Sequence, residues 1–488
     1  MVPSEREGEV PLPIELGPIA NGEYEPFPPG DVARGTERRL RRLTDETAPR
    51  LGVSRREFLR SSCGTAAALF LLAACHGESS KASGRSQGGT FNLPSSTTTD
   101  TAHAREVLGG DEFVFDVQTH LLEFDPSQSN AEGGSFARGF PYSSCGESDW
   151  RECYGIDHWF RELFVRSDTT MAVISAVPIL SEPNPLSIEV MERGRSAAKA
   201  VCGDDTRVFL HGQVNPNVGN LETSLDHMRA IAAAHPIAAW KVYTHVPAGR
   251  EWFLDDHDAD AVRCGQAFVD TVREVGPKIV CVHKGLGGGS PYSSPVDIGP
   301  VAKRNPDITF VVYHSGYDGP NEGRYRRNGP RGIDRLLVSL DDAGLPAHVN
   351  VYAELGSTWF NAMRDPTQAA HVLGKLLARL GDDRVLWGTD SIWYGSPQAQ
   401  LDAFRTFEIS AEFQDKYHYP ALTDATKRKI LGGNAAKLYG VKAPVTKKCT
   451  VNPQALAQLR AALPDPIASG PKTIAEAHVL MRAHGLPV

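Results

Sequence analysis

Gln118, His120, Lys241, His245, His283, His314, Glu354 and Asp390 are the residues of this 488-residue chain whose types and surroundings could do chemistry. Each stands in, or directly after, a short apolar run: FVFDVQTH, IAAWKVYTH, KIVCVH, ITFVVYH, VNVYAEL and RVLWGTD. An imidazole or carboxylate at the end of a buried apolar run is costly unless it is paired or bound to a metal. A histidine such as His283, taken alone, is more often a satisfied structural residue; the set together points to one shared site. The nitrogen and oxygen donors of His120, His283 and Asp390 suit zinc, manganese or iron(II). Two imidazoles and a carboxylate leave positions for water and substrate. One divalent ion there, zinc in the first place with manganese or iron as the alternatives, would lower the pKa of bound water or polarise a substrate oxygen.

The elements that must position these groups are eight apolar, β-branched runs: Phe113–Gln118, Thr170–Val177, Arg207–Val214, Ile237–Thr244, Lys278–His283, Ile308–His314, Val349–Leu355 and Arg384–Thr389. Near-continuous apolar strands alternating with helices indicate a parallel sheet buried on both faces. Eight of them predict an α/β fold closed into a (β/α)₈ TIM barrel, with its chemistry where strands end and βα loops begin. The intervening segments read as helices. Leu221, Leu225, Met228 and Ile231 form a stripe over Leu221–Ala234, and Asp258–Val275 and Gln368–Leu380 behave similarly. Residues 121–169 and 319–332 read as insertions on the catalytic face, and residues 441–488 as a helical C-terminal extension.

Net charge is −8, from 51 basic and 59 acidic residues, which gives no electrostatic footprint for nucleic acid. No apolar run is long enough for a spanning helix. The eight cysteines form no CxxC pair; Cys145 and Cys153 are near enough to be bridged in an oxidising compartment, or stand as two free thiols. Residues 1–50, rich in Pro, Gly, Glu and Arg, read as disordered. Residues 51–75 hold Ser54-Arg55-Arg56-Glu57-Phe58-Leu59 followed by AAALFLLAA, a stretch that suits a signal-peptide h-region. That pattern resembles a twin-arginine export signal, from which it departs by the long segment ahead of the arginines. Leu72-Ala73-Ala74-Cys75 resembles a lipoprotein cleavage box, so a lipid anchor at Cys75 is one reading and an ordinary thiol the other. Residues 76–110 read as a flexible linker, and residues 111–440 as the barrel. This implies export by the twin-arginine machinery to the periplasm or, lipidated, to a membrane surface.

The motifs DVQTH, VHKG, YHSG and WGTDS, with ILGGNAAKLYG at residues 430–440, resemble the amidohydrolase superfamily, in its amidohydrolase-related branch that includes aminocarboxymuconate-semialdehyde decarboxylase. The resemblance spans roughly residues 111–440. It implies His120, His283 and Asp390 as metal ligands and His314 as a catalytic residue that orients or activates water or handles substrate protons, with Asp390 sharing the proton traffic. The family's H-x-H is here Gln118-Thr119-His120, so Gln118 becomes a weak metal ligand, a substrate contact, or neither. Other branches of the superfamily carboxylate a strand-four lysine to bridge two metals; for Lys241 a plain substrate contact or a pairing with Glu354 is the simpler reading.

Further candidates for substrate contact lie near the strand ends: Glu354 itself, Asn215 in the turn after the third run, Trp393 stacking on a planar substrate, and Arg324 in an arginine-rich insertion that could hold a carboxylate. The first functional reading is a hydrolase in which metal-activated water attacks a C–N, ester or lactone carbonyl. The second is a non-oxidative decarboxylase of an aromatic or unsaturated acid, toward which Gln118 and the arginine loop lean. The third is a non-catalytic exported binding protein on a degenerate barrel. Expected partners are a small-molecule substrate, possessing a carboxylate in the second reading, the export machinery and a second copy of the chain in a homodimer.

Overall fold

The computed structural model describes residues 11–20, 24–124, 135–180, 182–203, 206–320, 322–442, 449 and 473–483. The expectations for residues 1–10, part of the first insertion and most of the C-terminal extension lie outside the described residues; of the extension, the helix Ile474–Ala483 is described.

The chain enters through three helices, α1 (Asp31–Arg50), α2 (Arg55–Leu59) and α3 (Ser62–Ser83). A short strand β1 (Gly89–Phe91) and helix α4 (Thr101–Leu108) follow. Eight strands then form one sheet in sequence order: β2 (Phe115–Thr119), β3 (Met171–Ile174), β4 (Val208–Gln213), β5 (Ala239–Tyr243), β6 (Ile279–His283), β7 (Thr309–Tyr313), β8 (Val351–Glu354) and β9 (Val385–Leu386). Every neighbouring pair is parallel. Closure of β2 against β9 comes from Val117 N–H to the Trp387 carbonyl (3.1 Å), Asp390 N–H to the Gln118 carbonyl (2.9 Å) and a parallel bridge from Thr119 to Ser391. The fold is the predicted TIM barrel, with all eight strands inside the eight apolar runs or one residue beyond them.

Helices pack outside the sheet, among them Leu221–Ala234, Gly265–Val275 and Pro366–Leu380. The core has an inner and an outer part. Phe115, Val117, Val173, Cys281, Val311, Tyr313 and Leu386 fill the barrel's inside, while Val280, Val282, Phe310, Val312 and Ala353 join the sheet to the helices. The alternation along each strand is the period of two expected of a sheet buried on both faces.

Two expectations for the N-terminal region are corrected. Residues 31–50, read as disordered, are the helix α1, which packs along α3. Its buried stripe is Thr36, Leu40, Thr44 and Thr47. Thr36 and Thr44 return their hydroxyls to the carbonyls of Val32 and Leu40, so threonines can be buried where hydropathy finds no apolar face. Residues 76–110, read as a flexible linker, carry the end of α3, β1 paired antiparallel with β10 (Phe407–Ile409), and α4. The apolar stretch of α3 is itself core: Cys63, Ala66, Ala67, Leu69 and Leu72 are buried, as is the Cys75 thiol. No helix among the described residues is long and apolar enough to cross a membrane. Cys145 is bridged to Cys153, and Cys202 to Cys449.

Candidate functional site

The C-terminal ends of β2, β6, β7, β8 and β9 converge on one buried cluster. Strand β2 delivers Gln118 and His120, β6 ends in His283, His314 follows β7, Glu354 ends β8, and Asp390 lies in the turn after β9; each is at most 1% exposed. His314, Ser315, Ser357 and Asp390 all have left-handed backbone, with φ of 62°, 54°, 51° and 60°. Such residues cost about 1–3 kcal/mol each and gather where a side chain must be aimed. Here they turn the chain sharply at the strand ends.

His120 sits 3.1 Å from Asp390, Nε2 to Oδ1. Its Nδ1 lies 2.7 Å from the Ser175 carbonyl, which can only accept, so Nδ1 carries a proton and Nε2 is the nitrogen turned to Asp390. His314 has the same logic: Nδ1 donates to the Gly356 carbonyl at 2.6 Å, leaving the lone pair on Nε2. Burial pushes the His314 imidazolium down to about 4, against the pull of Asp390, so the ring is neutral near pH 7. The amide of Gln118 lies between these acceptors, its nitrogen 2.9 Å from Asp390 Oδ1 and 3.5 Å from His314 Nε2. For Asp390, burial works against ionisation, but its close contact with the His120 ring, the nearby His314 and the Ser357 hydroxyl, which donates to Oδ2 at 2.5 Å, hold its carboxyl below the usual range.

His283 is fully buried, and neither ring nitrogen has a hydrogen-bond partner among the described residues. Its ring centroid is 4.5 Å from His314, 4.7 Å from His245 and 4.9 Å from Tyr243. Burial, reinforced by the neighbouring imidazoles and Lys241, holds it neutral. An imidazole left with two unsatisfied nitrogens is expensive unless a cation takes one of them. Together with the His120 nitrogen facing a carboxylate, this donor set fits a divalent cation. The three expected ligands do not form one compact triangle, however. Among the described residues, the one group of three His, Cys, Asp or Glu residues whose ligand atoms all lie within 4.8 Å of one another is Cys145, Glu147 and His158, and the Cys145 sulfur is already in a disulfide.

Of the readings open for Gln118, the weak ligand does not fit its present rotamer: it turns a donor N–H₂ to Asp390, and its carbonyl oxygen has no hydrogen-bond partner among the described residues. To bind a cation the amide must turn over. Glu354 does not face substrate. Its oxygens accept from the backbone N–H of His314 (3.0 Å) and Gly356 (2.5 Å), so it builds the turn that aims His314. Burial pushes its carboxyl well up, opposed by those two N–H groups. Nor does Lys241 pair with Glu354; its ammonium lies over the rings of Tyr243 (3.7 Å) and Tyr313 (4.5 Å) inside the barrel.

Trp393 is 2% exposed and stacks on His120, centroids 5.0 Å apart and planes 10° off parallel, so it orients an imidazole rather than a substrate. Among the described residues the side chain of Asn215 makes no hydrogen bond to the cluster; its backbone carbonyl closes the turn to Val218 N–H at 3.1 Å. Arg324 is exposed on a loop held to the outer helix Ile333–Asp342, where Tyr325 bonds Asp341 (2.6 Å) and Arg327 pairs with Asp342.

Sequence reasoning missed Asp116, Ser357 and Tyr394. Asp116 accepts the backbone N–H of Gln118 and of Thr389, each at 3.1 Å, and the Thr389 hydroxyl, tying β2 to the turn that carries Asp390. Burial pushes its carboxyl up to about 7, opposed by these hydrogen bonds. A buried Asp two residues ahead of Gln118 was a legible signal for it. Ser357 had none, because only the folded turn brings it to Asp390.

The profile of a family described as amidohydrolase matches residues 151–441, more than half of the chain. None of the curated proteins matches. Among solved structures, the chain is similar to an uncharacterized TIM-barrel protein from Bordetella bronchiseptica, at 16% identity over 67% of this chain and 98% of that one, with a TM-score of 0.43. It is also similar to 5-carboxyvanillate decarboxylase from Sphingomonas paucimobilis (12% identity, 67% and 99% covered, TM-score 0.37). A third is a 2-pyrone-4,6-dicarboxylic acid hydrolase from Pseudomonas putida, putative in its own description (14% identity, 68% and 98% covered, TM-score 0.38).

Proposed function

The chain belongs to the amidohydrolase family, and from that membership and the site's donor set we propose that it is a metal-dependent hydrolase of a small C–N, ester or lactone substrate. The observation that carries this is His283, fully buried with both nitrogens unsatisfied among the described residues, at the strand-end mouth it shares with His120 and Asp390. Those three residues would hold one divalent ion, zinc, manganese or iron, with Gln118 joining only after its amide turns. When bound, the ion supplies an activated water and a counter-charge for a developing oxyanion.

The chain's own residues do the rest. His314 is the general base: its Nδ1 proton is committed to Gly356, its Nε2 lone pair meets only the long contact from the Gln118 amide at 3.5 Å, and burial keeps the ring unprotonated near neutral pH. His314 takes the proton of the attacking water and returns it to the leaving group, while Asp390 stays ionised beside it and serves as the site's second proton acceptor. Trp393 and the Ser175 carbonyl fix the plane and tautomer of His120. Of the two features that leaned toward decarboxylation, the arginine loop is held on the barrel's outside, and Gln118 remains. Export fits the two disulfides, which persist in oxidising compartments.

Product analysis with amide, lactone and aromatic-acid substrate panels tests the reading. Two fragments, or a ring opened with addition of water, support hydrolysis. Release of CO₂ without water uptake would assign a decarboxylase instead.

A further inference from the structure

The segment ahead of the paired arginines lies on the barrel's catalytic face. Ile14, Leu16, Ile19 and Tyr24 are each at most 3% exposed. Three contacts tie this segment to βα loops. Phe27 packs on Gly319, after β7, where an added Cβ would come within 2.8 Å of its ring. Arg364, after β8, donates to the Gly17 carbonyl at 3.3 Å. Tyr394, after β9, meets Tyr24 hydroxyl to hydroxyl at 3.1 Å.

Tyr394 also lies 2.9 Å from the Ser357 hydroxyl, which lies 2.5 Å from Asp390 Oδ2. The donor directions follow from Asp390. Its carboxylate can only accept, so Ser357 donates to it. The Ser357 oxygen must then accept from Tyr394, and the Tyr394 oxygen from Tyr24. Each hydroxyl is spent on the next, and such a chain is polarised along its length toward the carboxylate. Tyr394 is held for this by stacking on Phe360, centroids 3.9 Å apart, and Tyr24 by stacking on Phe27 at 5.4 Å.

We propose that Ser357 and Tyr394 are positioning residues that fix Asp390 for its ligand role, and that residues 14–20 and 24–27 form the outer wall of the same site, joined to it through Tyr24. This rests on Asp390 being a metal ligand, as proposed above. Partners that orient a metal ligand typically contribute 10- to 100-fold in metal affinity. Ser357 has a φ of 51°, so glycine suits its backbone while removing the hydroxyl.

The test is Co²⁺ titration of the full chain, read by visible absorption, with EDTA stripping rates and melting curves alongside. Ser357→Ala and Ser357→Gly should each bind Co²⁺ about 10- to 100-fold more weakly and shift the absorption bands. Tyr394→Phe should lie in the same direction, and Tyr24→Phe should speed stripping. If Asp390→Ala leaves Co²⁺ binding intact, the metal reading itself fails. If Asp390→Ala loses Co²⁺ but the folded Ser357 variants and Tyr394→Phe bind as wild type, the positioning role is overturned. Loss in Ser357→Ala alone, with Ser357→Gly and Tyr394→Phe normal, would assign the effect to backbone conformation and overturn it too. Unchanged stripping in Tyr24→Phe overturns the part assigned to the N-terminal wall.

Discussion

Replacing Gln118 by glutamate changes one nitrogen to oxygen at the centre of the site, and the structure sets its size. The Gln118 nitrogen lies 2.9 Å from Asp390 Oδ1 and 3.5 Å from His314 Nε2. Neither can donate back, so the amide is held by its two N–H groups. In Gln118→Glu a hydrogen bond to a charged acceptor, about 1.5–3 kcal/mol, is lost. Two carboxylates then face each other at that distance. At an effective dielectric of ~20 their repulsion is about 6 kcal/mol. Part of that is relieved when one carboxyl takes up a proton, which costs about 1.4 kcal/mol for each pH unit that the solution lies above its ordinary value. At pH 8, about four units above that value, the proton costs about 5 kcal/mol, so the expected net loss in EDTA is roughly 5 kcal/mol. It should shrink toward pH 5, where a shared proton bridges the pair. Mn²⁺ should reverse it and bind more tightly than to wild type, because the new carboxylate is an oxygen ligand where an amide nitrogen stood. Urea unfolding of the full chain, with and without Mn²⁺, reads both effects. Wild-type stability in EDTA at pH 8, with no added response to Mn²⁺, would refute this placement of Gln118 against Asp390.

Four further outcomes follow from the same geometry. An added Cβ at Gly388 would fall 1.7 Å from Glu354 Oε1, so Gly388→Ala should lose about 3 kcal/mol or more by thermal unfolding, with metal binding lost as well. His283→Ala should abolish stoichiometric metal in elemental analysis; full retention would remove His283 from the ligand set. Burial raises the folded carboxyl of Asp116 to about 7, so its contribution favours folding below the unfolded value near 4 and is lost as pH rises through about 7. Asp116→Asn should therefore show a shallower fall of stability between pH 4 and pH 7 than wild type, measured by denaturant titration. Changing Arg55 and Arg56 to lysine should leave the protein in the cytoplasm by cell fractionation, and unchanged export would sink the twin-arginine reading.

The barrel was legible because burial on both faces writes itself into composition. Each strand from Phe115–Thr119 to Val385–Leu386 lies in an apolar, β-branched run bounded by polar residues, and eight such runs have few ways to bury both faces. The ends of those runs also announced His120, His283, His314 and Asp390, since ionisable groups rarely follow such runs without cause. What the sequence could not announce depends on rotamers and on contacts between distant segments. Which atom of Gln118 meets Asp390, that Glu354 spends both oxygens on backbone N–H groups, and that Trp393 supports His120 rather than a substrate are decided by packing within about 5 Å. The N-terminal region misled for the same reason. Its composition resembles a disordered leader because α1 buries threonines that satisfy themselves on their own helix, and because the partners of Tyr24 and Phe27 lie in loops hundreds of residues away. Residue type and period therefore determined the barrel and which groups gather at its mouth. The tertiary structure alone decided which of them face one another and what closes over them, because hydrogen-bond direction and close packing exist only once distant chain segments have met.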